Sequence, residues 1–500
     1  MSSPTRSEDQ DLSADEKYAG SVTESVSLRQ QFTYADSQRL KRKADWRLLP
    51  ILITAYLIKN MDGNIVSYVK TMNTGEASNI LKSLHMTTDQ YAFAATCFTV
   101  PFIIFEIPSN ILIKWSTPRL HFVRIMIVWS IACTCTAAST NIAGFFVCRV
   151  FLGAAEAGLY PGILYYLTCW YRADEIAARM AVLSLLGQFS GIIDALLTYG
   201  LAFTHGRVHG WQWGFITTGL LGFLAVAWIF FFLPDFPDSP QSRRSIYTEE
   251  EGRFMVARLP PNSARSLDKD FDWAGVREVL SSPLLYAYSL LGMCYNSGVT
   301  GLGFWLPTIV QGFGLTTKAN SQLLSIPPAV VSIVSSLGLA FWLDHDHRIP
   351  KPVYIYVGAV GIIAMFAGMI FCESKGGLYA LLLPTLDQVA YAFSGMGFVA
   401  VLPLRTQSLK GSSGAAFGFA FQNAMAQIPG LYTAQIFRSK YAPRYKVSFI
   451  VCIVFLIGMM IATSVVWYFQ YDLEKETRRI AKLRRAEGKH NRVLQQDIEG

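Results

Sequence analysis

The chain has 500 residues, of which 52% are hydrophobic and 16% are charged, and its formal net charge is +8. An ordinary soluble domain carries about 25% charged residues, so this composition argues against a soluble enzyme, a secreted disulfide scaffold and a disordered chain. The apolar residues instead form repeated runs of roughly 20, the length that crosses a bilayer as a helix.

Residues 1–47 are polar and charged, and we expect them to form a disordered cytoplasmic tail. Two blocks of six apolar spans follow, at 48–233 and 284–470, with a polar cytoplasmic loop at 234–283 and a basic cytoplasmic tail at 471–500. The twelve spans are expected near 48–69, 91–113, 122–140, 143–168, 179–203, 212–233, 284–310, 321–343, 353–372, 377–401, 415–437 and 447–470. Two similar halves around a long loop are typical of a transporter built by duplication. The predicted fold is an all-α membrane protein of twelve helices.

Lysine and arginine are concentrated in alternate connections between the spans. With both tails placed inside, the inner segments include the cluster Arg39–Arg47, the pair Arg405 and Lys410, and the basic C-terminal tail. Basic residues favour the cytoplasmic side. We therefore expect a multi-pass protein of the cell membrane with both termini in the cytoplasm. One outer connection departs from this rule, since it carries Arg438, Lys440, Arg444 and Lys446.

The central loop contains one clear helix signal. Thr248 is a suitable N-cap, and Glu251 stands at the capping-box position three residues later. Pro260 and Pro261 end the pattern because proline cannot continue a helix. The segment predicts a short amphipathic helix beneath the membrane, and a solvated linker helix is the preferred interpretation of its role.

Ionisable side chains inside a membrane span are costly and mark functional positions. Arg149 and Glu156 form the sharpest pair, because seven residues are about two helical turns and place both on one face, with Gly153 between them. A buried carboxylate resists ionisation, which makes Glu156 a candidate proton carrier. Arg149 would then hold an anionic substrate or the carboxylate itself. The alternative is a structural ion pair that locks this span against a neighbour.

The first span carries four polar side chains, which favour the wall of a wet cavity over contact with lipid. They are Lys59, Asn60, Asp62 and Asn64. Lys59 and Asp62 are three residues apart and share a helix face. We assign Asp62 to proton coupling and Lys59 and Asn64 to substrate binding. The alternative is that Lys59 and Asp62 merely neutralise each other.

The second half offers neutral amides in place of charges. Asn296, Asn423 and Gln427 are expected to contact substrate, and Asn423 and Gln427 share a face because they are four residues apart. Hydrogen bonds between helices are the alternative use of these side chains. In the fifth span, Asp194 either touches the transport pathway or pairs locally.

A gate is expected near the inner end of the second span. Glu106, Lys114 and Arg119 form this predicted gate, and a structural salt bridge between Glu106 and Lys114 is the alternative. No Gly-x-x-x-x-Gly-Lys-Ser/Thr motif and no histidine pair at metal-ligating spacing occur in the sequence. We therefore expect neither enzymatic activity, nor a cofactor, nor a metal site. The basic residues follow topology and not a nucleic-acid groove.

Several of these motifs occur together in one known family. Residues 46–470 resemble a twelve-span transporter of the major facilitator superfamily, and within it the fungal allantoate permease family of anion:cation symporters. The resemblance rests on Arg149-x-x-x-Gly153-x-x-Glu156-Ala-Gly158-x-x-Pro161-Gly162, on Trp170-Tyr171, on Glu106-x-Pro108-Ser109-Asn110 and on Leu233-Pro234-Asp235-Phe236-Pro237. It implies import of small organic anions, such as vitamins or ureides, by proton symport.

The resemblance also implies roles for particular residues. In relatives the fourth-span arginine and glutamate are the anion and proton groups, which correspond here to Arg149 and Glu156. Relatives often carry an aspartate followed by a basic residue in the first span, whereas Gly63 follows Asp62 here and Lys59 lies one turn earlier. We expect a proton-coupled symporter of a small carboxylated metabolite that works by alternating access, with the substrate, protons and membrane lipid as its partners. An exporter of a fungal secondary metabolite and a nutrient sensor are the alternatives.

Overall fold

A computed structural model describes residues 30–204, 206–237, 245–259, 272–312, 326–345, 349–371, 412–436 and 445–491, together with Ser27, Leu323, Arg405 and Leu409. All regular structure in this part is helical. The helices are α1 (Tyr34–Thr71), α2 (Ile80–Ser83), α3 (Thr88–Trp115), α4 (Pro118–Thr136), α5 (Ile142–Glu156), α6 (Leu159–Thr168), α7 (Ala173–Gly187), α8 (Phe189–Leu201), α9 (Gly210–Phe232), α10 (Glu249–Ala257), α11 (Trp273–Ser281), α12 (Pro283–Gly312), α13 (Ile326–His345), α14 (Lys351–Phe371), α15 (Ser412–Gln427), α16 (Thr433–Ile436) and α17 (Lys446–Lys489). A 3₁₀ turn at Ile428–Leu431 joins α15 to α16.

Seven helical segments in the described part of the chain are long and apolar enough to cross a membrane. They are α3, α4, α5 with α6, α7 with α8, α9, α14 and α17. Helix α1 is not among them, and it is the helix that carries Lys59 and Asp62. The predicted all-α membrane fold is confirmed, while the span expected at 377–401 lies outside the described residues.

The first helix begins earlier than the sequence predicted. The expectation of a disordered tail through residue 47 is wrong for 34–47, which belong to α1. Thr33 caps this helix, because its Oγ1 accepts from the backbone N–H of Asp36 at 3.2 Å and the Asp36 carboxylate accepts from the Thr33 N–H. Leu40 and Ala44 are fully buried at helical spacing, so packing orders a segment that its charges made look disordered.

A bend divides the fourth span into α5 and α6. Gly158 has φ +90°, a left-handed conformation that glycine adopts without a steric penalty, and it caps α6. A Cβ at this position would lie 2.8 Å from the Cβ of Ser109 on α3. The bend therefore brings α3 close to the end of α5, which is where Glu156 stands.

Two apolar cores hold the helices together. The larger contains buried residues of α1, of α3 to α7 and of α9, and the smaller joins α12, α14 and α17. Helix α15 packs against both α12 and α3, so it contacts both halves. Helix α17 runs on beyond a non-helical residue, Gln470, as far as Lys489, and the side chain of Asn491 accepts from the Ala35 N–H at 2.8 Å. The two ends of the described chain therefore meet.

The central connection contains two helices. Helix α10 is capped as the sequence predicts, with Thr248 Oγ1 accepting from the Glu251 N–H at 3.3 Å and Glu251 accepting from the Thr248 N–H at 3.2 Å. Helix α11 was not predicted. Asp272 caps it by accepting from the N–H groups of Ala274 and Gly275, and the Asp272 N–H donates to Ser413 at the start of α15.

A group of charged side chains anchors this connection to the first half, and we call it the anchor cluster. Its members are Lys41, Asp45, Arg172, Glu175, Arg179 and Arg258. Arg258 binds both carboxylate oxygens of Glu175 at 3.0 Å and also donates to the carbonyl of Trp170 at 3.0 Å. Lys41 approaches Glu175 at 3.0 Å. Burial acts to raise the pKa of Glu175, but the adjacent cations hold it well below its usual range.

Candidate functional site

Lys59 of α1 and Glu156 of α5 form an ion pair in the interior of the first half. The Lys59 Nζ lies 3.3 Å from Glu156 Oε1, and the side chains are 24% and 4% exposed. The sequence placed both residues in spans but did not pair them. The ion pair of Lys59 within 4 Å is with Glu156, and Asp62 also acts on Lys59 electrostatically, so Lys59 has two acidic neighbours. An ion pair at this depth is costly to desolvate and responds strongly to the protonation of its acid.

Arg149 stands two turns before Glu156 on the same helix, yet the two side chains do not form an ion pair in the described structure. Its guanidinium lies over the rings of Phe145 and Phe215, at 5.2 and 5.0 Å from their centroids. Its Nε and Nη2 are buried and have no hydrogen-bond acceptor among the described residues. Arg149 is therefore a cation held by aromatic faces, with donors left for another acceptor.

Asp62 is held by the neighbouring helix α4. Its Oδ2 accepts from Trp129 Nε1 at 3.3 Å, and its Oδ1 accepts from the thiol of Cys133 at 3.0 Å. All three side chains are almost fully buried. Neither donor is charged, so the described contacts leave the negative charge of an ionised Asp62 without an ion-pair partner within 4 Å. Two neutral donors thus fix the Asp62 carboxylate against α4.

Asn64 and Asp194 meet where α1 packs against α8. The Asn64 amide donates to Ser190 Oγ at 2.9 Å. Asp194 is fully buried, and both of its carboxylate oxygens lack a hydrogen-bond donor among the described residues. The Asn64 amide also acts on the Asp194 carboxylate, so a neutral neighbour on α1 is the local partner that the described structure gives this acid.

Glu106 connects the two halves. It is fully buried on α3 and accepts a hydrogen bond from the Asn423 amide of α15. Its second oxygen has no partner among the described residues. One turn later, Asn110 donates to the backbone carbonyl of Ala416 on α15. These contacts cross from the first half to the second, and Lys59 acts electrostatically on the same Glu106 carboxylate.

The other predicted gate residues take different positions. The Arg119 guanidinium lies 3.7 Å from Asp235 and over the ring of Phe230. The side chain of Lys114 lies outside the described residues, so the proposed Glu106–Lys114 bridge has no described geometry. Arg119 thus links the start of α4 to the end of α9, and this contact is separate from that of Glu106 with Asn423.

The three amides predicted to contact substrate make different contacts. Asn296 of α12 donates to the backbone carbonyl of Ala426 at 2.6 Å, an interhelical contact of the kind that the sequence left open. Gln427 is half-buried at the end of α15. Asn423 is the one of the three predicted substrate amides that reaches the first half in the described structure.

Sequence reasoning missed Arg405. It was counted as a cation of an inner connection, whereas the side chain is buried, donates to Gln422 and to the Phe419 carbonyl, and lies over the Phe419 ring. It acts electrostatically on both Glu106 and Tyr160. An arginine a few residues beyond a predicted span reads as a topology signal, and nothing local in the sequence distinguishes it from a site residue.

Two aromatic side chains lie beside the ion pair. The rings of Tyr56 and Tyr160 have centroids 5.9 Å apart and are tilted by 41°. Gly187 approaches this region closely, since a Cβ there would lie 2.7 Å from the Tyr56 ring and 2.7 Å from the Asn60 amide.

In the part of the chain that is described, no three His, Cys, Asp or Glu side chains group closely enough to hold a metal ion.

Buried charges on facing helices, within a bundle of membrane-spanning helices in two halves, define a secondary membrane transporter. The family comparison agrees with this class. Residues 63–432 match the family model of the Major Facilitator Superfamily, and the chain belongs to that family. It is therefore a membrane-spanning transporter of small molecules and not an enzyme, and the family confirms the predicted fold of twelve helices in two halves.

Individual relatives support the same assignment. A putative metabolite transport protein, NicT of Pseudomonas putida, is 30% identical over 79% of this chain and 86% of its own length. A putative tartrate transporter of Agrobacterium vitis is 26% identical over 78% of this chain and 83% of its own length. The xylose transporter XylE from E. coli, in a partially occluded inward-open structure, matches with a TM-score of 0.60 at 13% identity, covering 83% of this chain and 96% of that one.

Proposed function

We propose that this transporter is a proton-coupled symporter of a small organic anion, as in the allantoate permease family of anion:cation symporters. The observation that carries the proposal is the Lys59–Glu156 ion pair at 3.3 Å. The fourth-span motif from Arg149 to Gly162 supports it, and so does the tartrate transporter among the relatives, because tartrate is a carboxylated anion. The proposed location is the cell membrane with both termini in the cytoplasm.

The ion pair supplies a coupling mechanism. In the empty protein Glu156 is ionised and forms an ion pair with the Lys59 ammonium, which is then not available to a substrate. A proton on Glu156 removes the attraction and leaves the ammonium available to a substrate carboxylate. Arg149 adds a second cation with unused donors nearby on the same helix. Proton and anion then bind together because each removes the penalty of burying the other.

The contacts between the halves suggest how loading leads to movement. Lys59 acts electrostatically on Glu106, which accepts from Asn423 of the opposite half. An anion that takes the charge of Lys59 changes the field at Glu106 and so the contact between α3 and α15. Asp62, Asn64 and Asn423 are proposed to complete the site. Alternating access would follow as the two halves rock about it.

The test is uptake of labelled nicotinate, pantothenate, allantoate and small dicarboxylates into yeast cells that express the protein, at pH 5 and pH 7.5. We expect one acid to enter faster at pH 5, since protonation of Glu156 frees Lys59. Glu156→Gln, which carries no ionisable proton, should retain binding and exchange of that acid but lose the pH dependence and accumulation. Glu250→Gln, an exposed change on α10, is the matched control.

Three outcomes would contradict the proposal. Uptake by the wild type that is the same at both pH values would remove proton coupling. Efflux of the acids, or an absence of uptake with normal surface expression, would favour export or a substrate outside the carboxylate class. Binding that survives in Lys59→Gln at full strength would remove Lys59 from the anion site.

A further inference from the structure

A second buried acid in the first half has no role in the mechanism above. Asp194 of α8 is fully buried, and both of its oxygens lack a hydrogen-bond donor among the described residues. Its neighbours on the same helix do not help, because Thr198 donates to the backbone carbonyl of Asp194 and Ser190 accepts from Asn64. An ionised carboxylate in such a place is strongly destabilised because it has lost its hydration, and a proton removes that penalty.

The surroundings contain a further acid. Helix α8 packs against α1, α7, α9 and α13. The titratable residues in the membrane part of these helices and at the start of α7 are as follows: Tyr56, Lys59, Asp62, Tyr68 and Lys70 of α1, Asp174, Glu175 and Arg179 of α7, Asp344 and His345 of α13, and Tyr199 of α8 itself. Helix α9 has none. Of these groups, Asp62 acts on Asp194, as one negative charge upon another, and the Asn64 amide is the polar neighbour of Asp194.

We propose that Asp194, facing Asp62 across the α1–α8 contact, is a second proton-binding site of the transporter, separate from Glu156 and loaded and released in each cycle. This inference rests on the proposed proton symport and deepens it. Two features of the geometry separate the sites. Glu156 has a cation at 3.3 Å, whereas Asp194 has a second acid as its neighbour. Protonation of Glu156 releases Lys59, while protonation of Asp194 relieves repulsion at the α1–α8 contact.

A second proton changes the energetics of transport. One proton carried with one monovalent anion moves no net charge, so the membrane potential does not drive it. A second proton makes the cycle carry one positive charge inward, and each 100 mV then raises the attainable accumulation about fiftyfold. Asp194 is therefore the group that would connect uptake of a monovalent acid to the membrane potential.

A contact between the two halves can couple the surroundings of Asp194 to the transport cycle. Gln188, at the junction of α7 and α8, accepts from Ser332 of α13 in the opposite half at 3.2 Å. Helix α8 thus carries Asp194 and, through Gln188 at its start, also contacts the second half. A movement of the halves that breaks this contact shifts α8 against α1, which is the surface where Asp62 and Asp194 face each other.

The first experiment uses uptake of nicotinate, pantothenate and allantoate into proteoliposomes that contain the full chain. A potassium gradient with valinomycin sets an inside-negative potential of 100 mV at equal pH on both sides. The wild type is expected to accumulate one of these acids about fiftyfold more than without the potential. Asp194→Asn should lose this dependence and keep uptake driven by a pH gradient. Asp272→Asn, an exposed cap that asparagine also satisfies, is the matched control.

A second measurement needs no substrate. The infrared difference spectrum of the purified wild type between acidic and alkaline pH should contain a carbonyl band of a protonated aspartic acid, which shifts on labelling with carbon-13 aspartate. That band should be absent in Asp194→Asn and present in Glu156→Gln. A spectrum without it, or with it unchanged in Asp194→Asn, overturns the inference even if proton symport is confirmed.

The two experiments separate the failure of this inference from the failure of the proposed function. If none of the three acids is imported but the aspartate band appears and depends on Asp194, the second proton site stands and the anion assignment falls. If an acid is imported and Asp194→Asn still responds to the potential, the inference falls and symport stands. A potential-driven uptake that requires sodium ions at fixed pH would also overturn it.

Discussion

The anchor cluster provides a sharp test of how the central connection is held. Arg258 ends α10 and makes three charged or polar contacts, two with Glu175 and one with the Trp170 carbonyl, each at 3.0 Å. The side chains of Arg258 and Glu175 are 4% and 13% exposed. Replacing Arg258 with glutamine leaves a largely buried carboxylate and a buried carbonyl with fewer partners. Removing one member of a buried pair costs about 3–5 kcal/mol.

The expected magnitude lies at the lower end of that range. Lys41 remains 3.0 Å from Glu175 in the variant and keeps part of its compensation, so we expect a loss of about 3 kcal/mol in the free energy of unfolding. Arg253→Gln, on the same helix, is the matched control. Its pair with Glu249 is 58% and 64% exposed, and such pairs contribute about 0.3–0.5 kcal/mol.

Equilibrium denaturant titration of the purified protein in detergent micelles measures both losses. The double variant Arg258→Gln with Glu175→Gln removes the buried pair together, and we expect it to be less destabilised than the sum of the two single variants. The reasoning is refuted if Arg258→Gln costs no more than Arg253→Gln. Additive effects in the double variant would refute it equally, because independent residues add.

Two further predictions concern packing and pH. Gly153→Ala places a Cβ against the backbone carbonyl of Phe98 and 3.1 Å from the Pro101 ring, so it should lower the free energy of unfolding by about 1–3 kcal/mol. Gly191→Ala is the control, because a Cβ there has nothing within 4 Å and should be neutral or slightly stabilising. Equal effects of the two variants in the same denaturant titration would contradict this account. The pKa of Glu175 is held well below its usual range, so its contribution is present above the ordinary glutamate value of about 4.3 and is lost as pH falls towards the lower folded value. The acid-side slope of stability against pH should flatten in Glu175→Gln, and an unchanged slope would exclude this source.

The sequence predicted best the features that depend on local rules. The cap of α10 at Thr248 and Glu251 follows from two side chains three residues apart, and the structure has both reciprocal hydrogen bonds. Most of the apolar runs are helices close to their expected bounds. The start of α1 at Tyr34 was missed because its charged residues conceal a stripe formed by Leu40, Ala44 and Leu48, which becomes apparent only when neighbouring helices cover it.

The site could be predicted as a set of residues but not as a set of contacts. Arg149 and Glu156 stand on one face of α5, and this spacing left open whether Arg149 holds an anionic substrate or the Glu156 carboxylate. The ion pair instead joins Glu156 to Lys59, because the bend at Gly158 and the packing of α1 bring a cation from another helix to it. Periodicity fixes which residues share a face, but the partner across the interface depends on tertiary packing. The buried position of Arg405 was missed for the same reason, because its contacts with α15 depend on tertiary packing.

The charges of the first half explain why two protons and one anion form a consistent load. Two cations, Lys59 and Arg149, share the interior of this half with four acids, Asp62, Glu106, Glu156 and Asp194. With every group ionised, these six carry two net negative charges and repel a substrate carboxylate. Protonation of Glu156 frees Lys59 and lowers the net charge to one negative, and a further proton on Asp194 brings the set to neutrality. Two protons therefore remove the net repulsion that a single proton leaves, and this repulsion is strong in a low-dielectric interior.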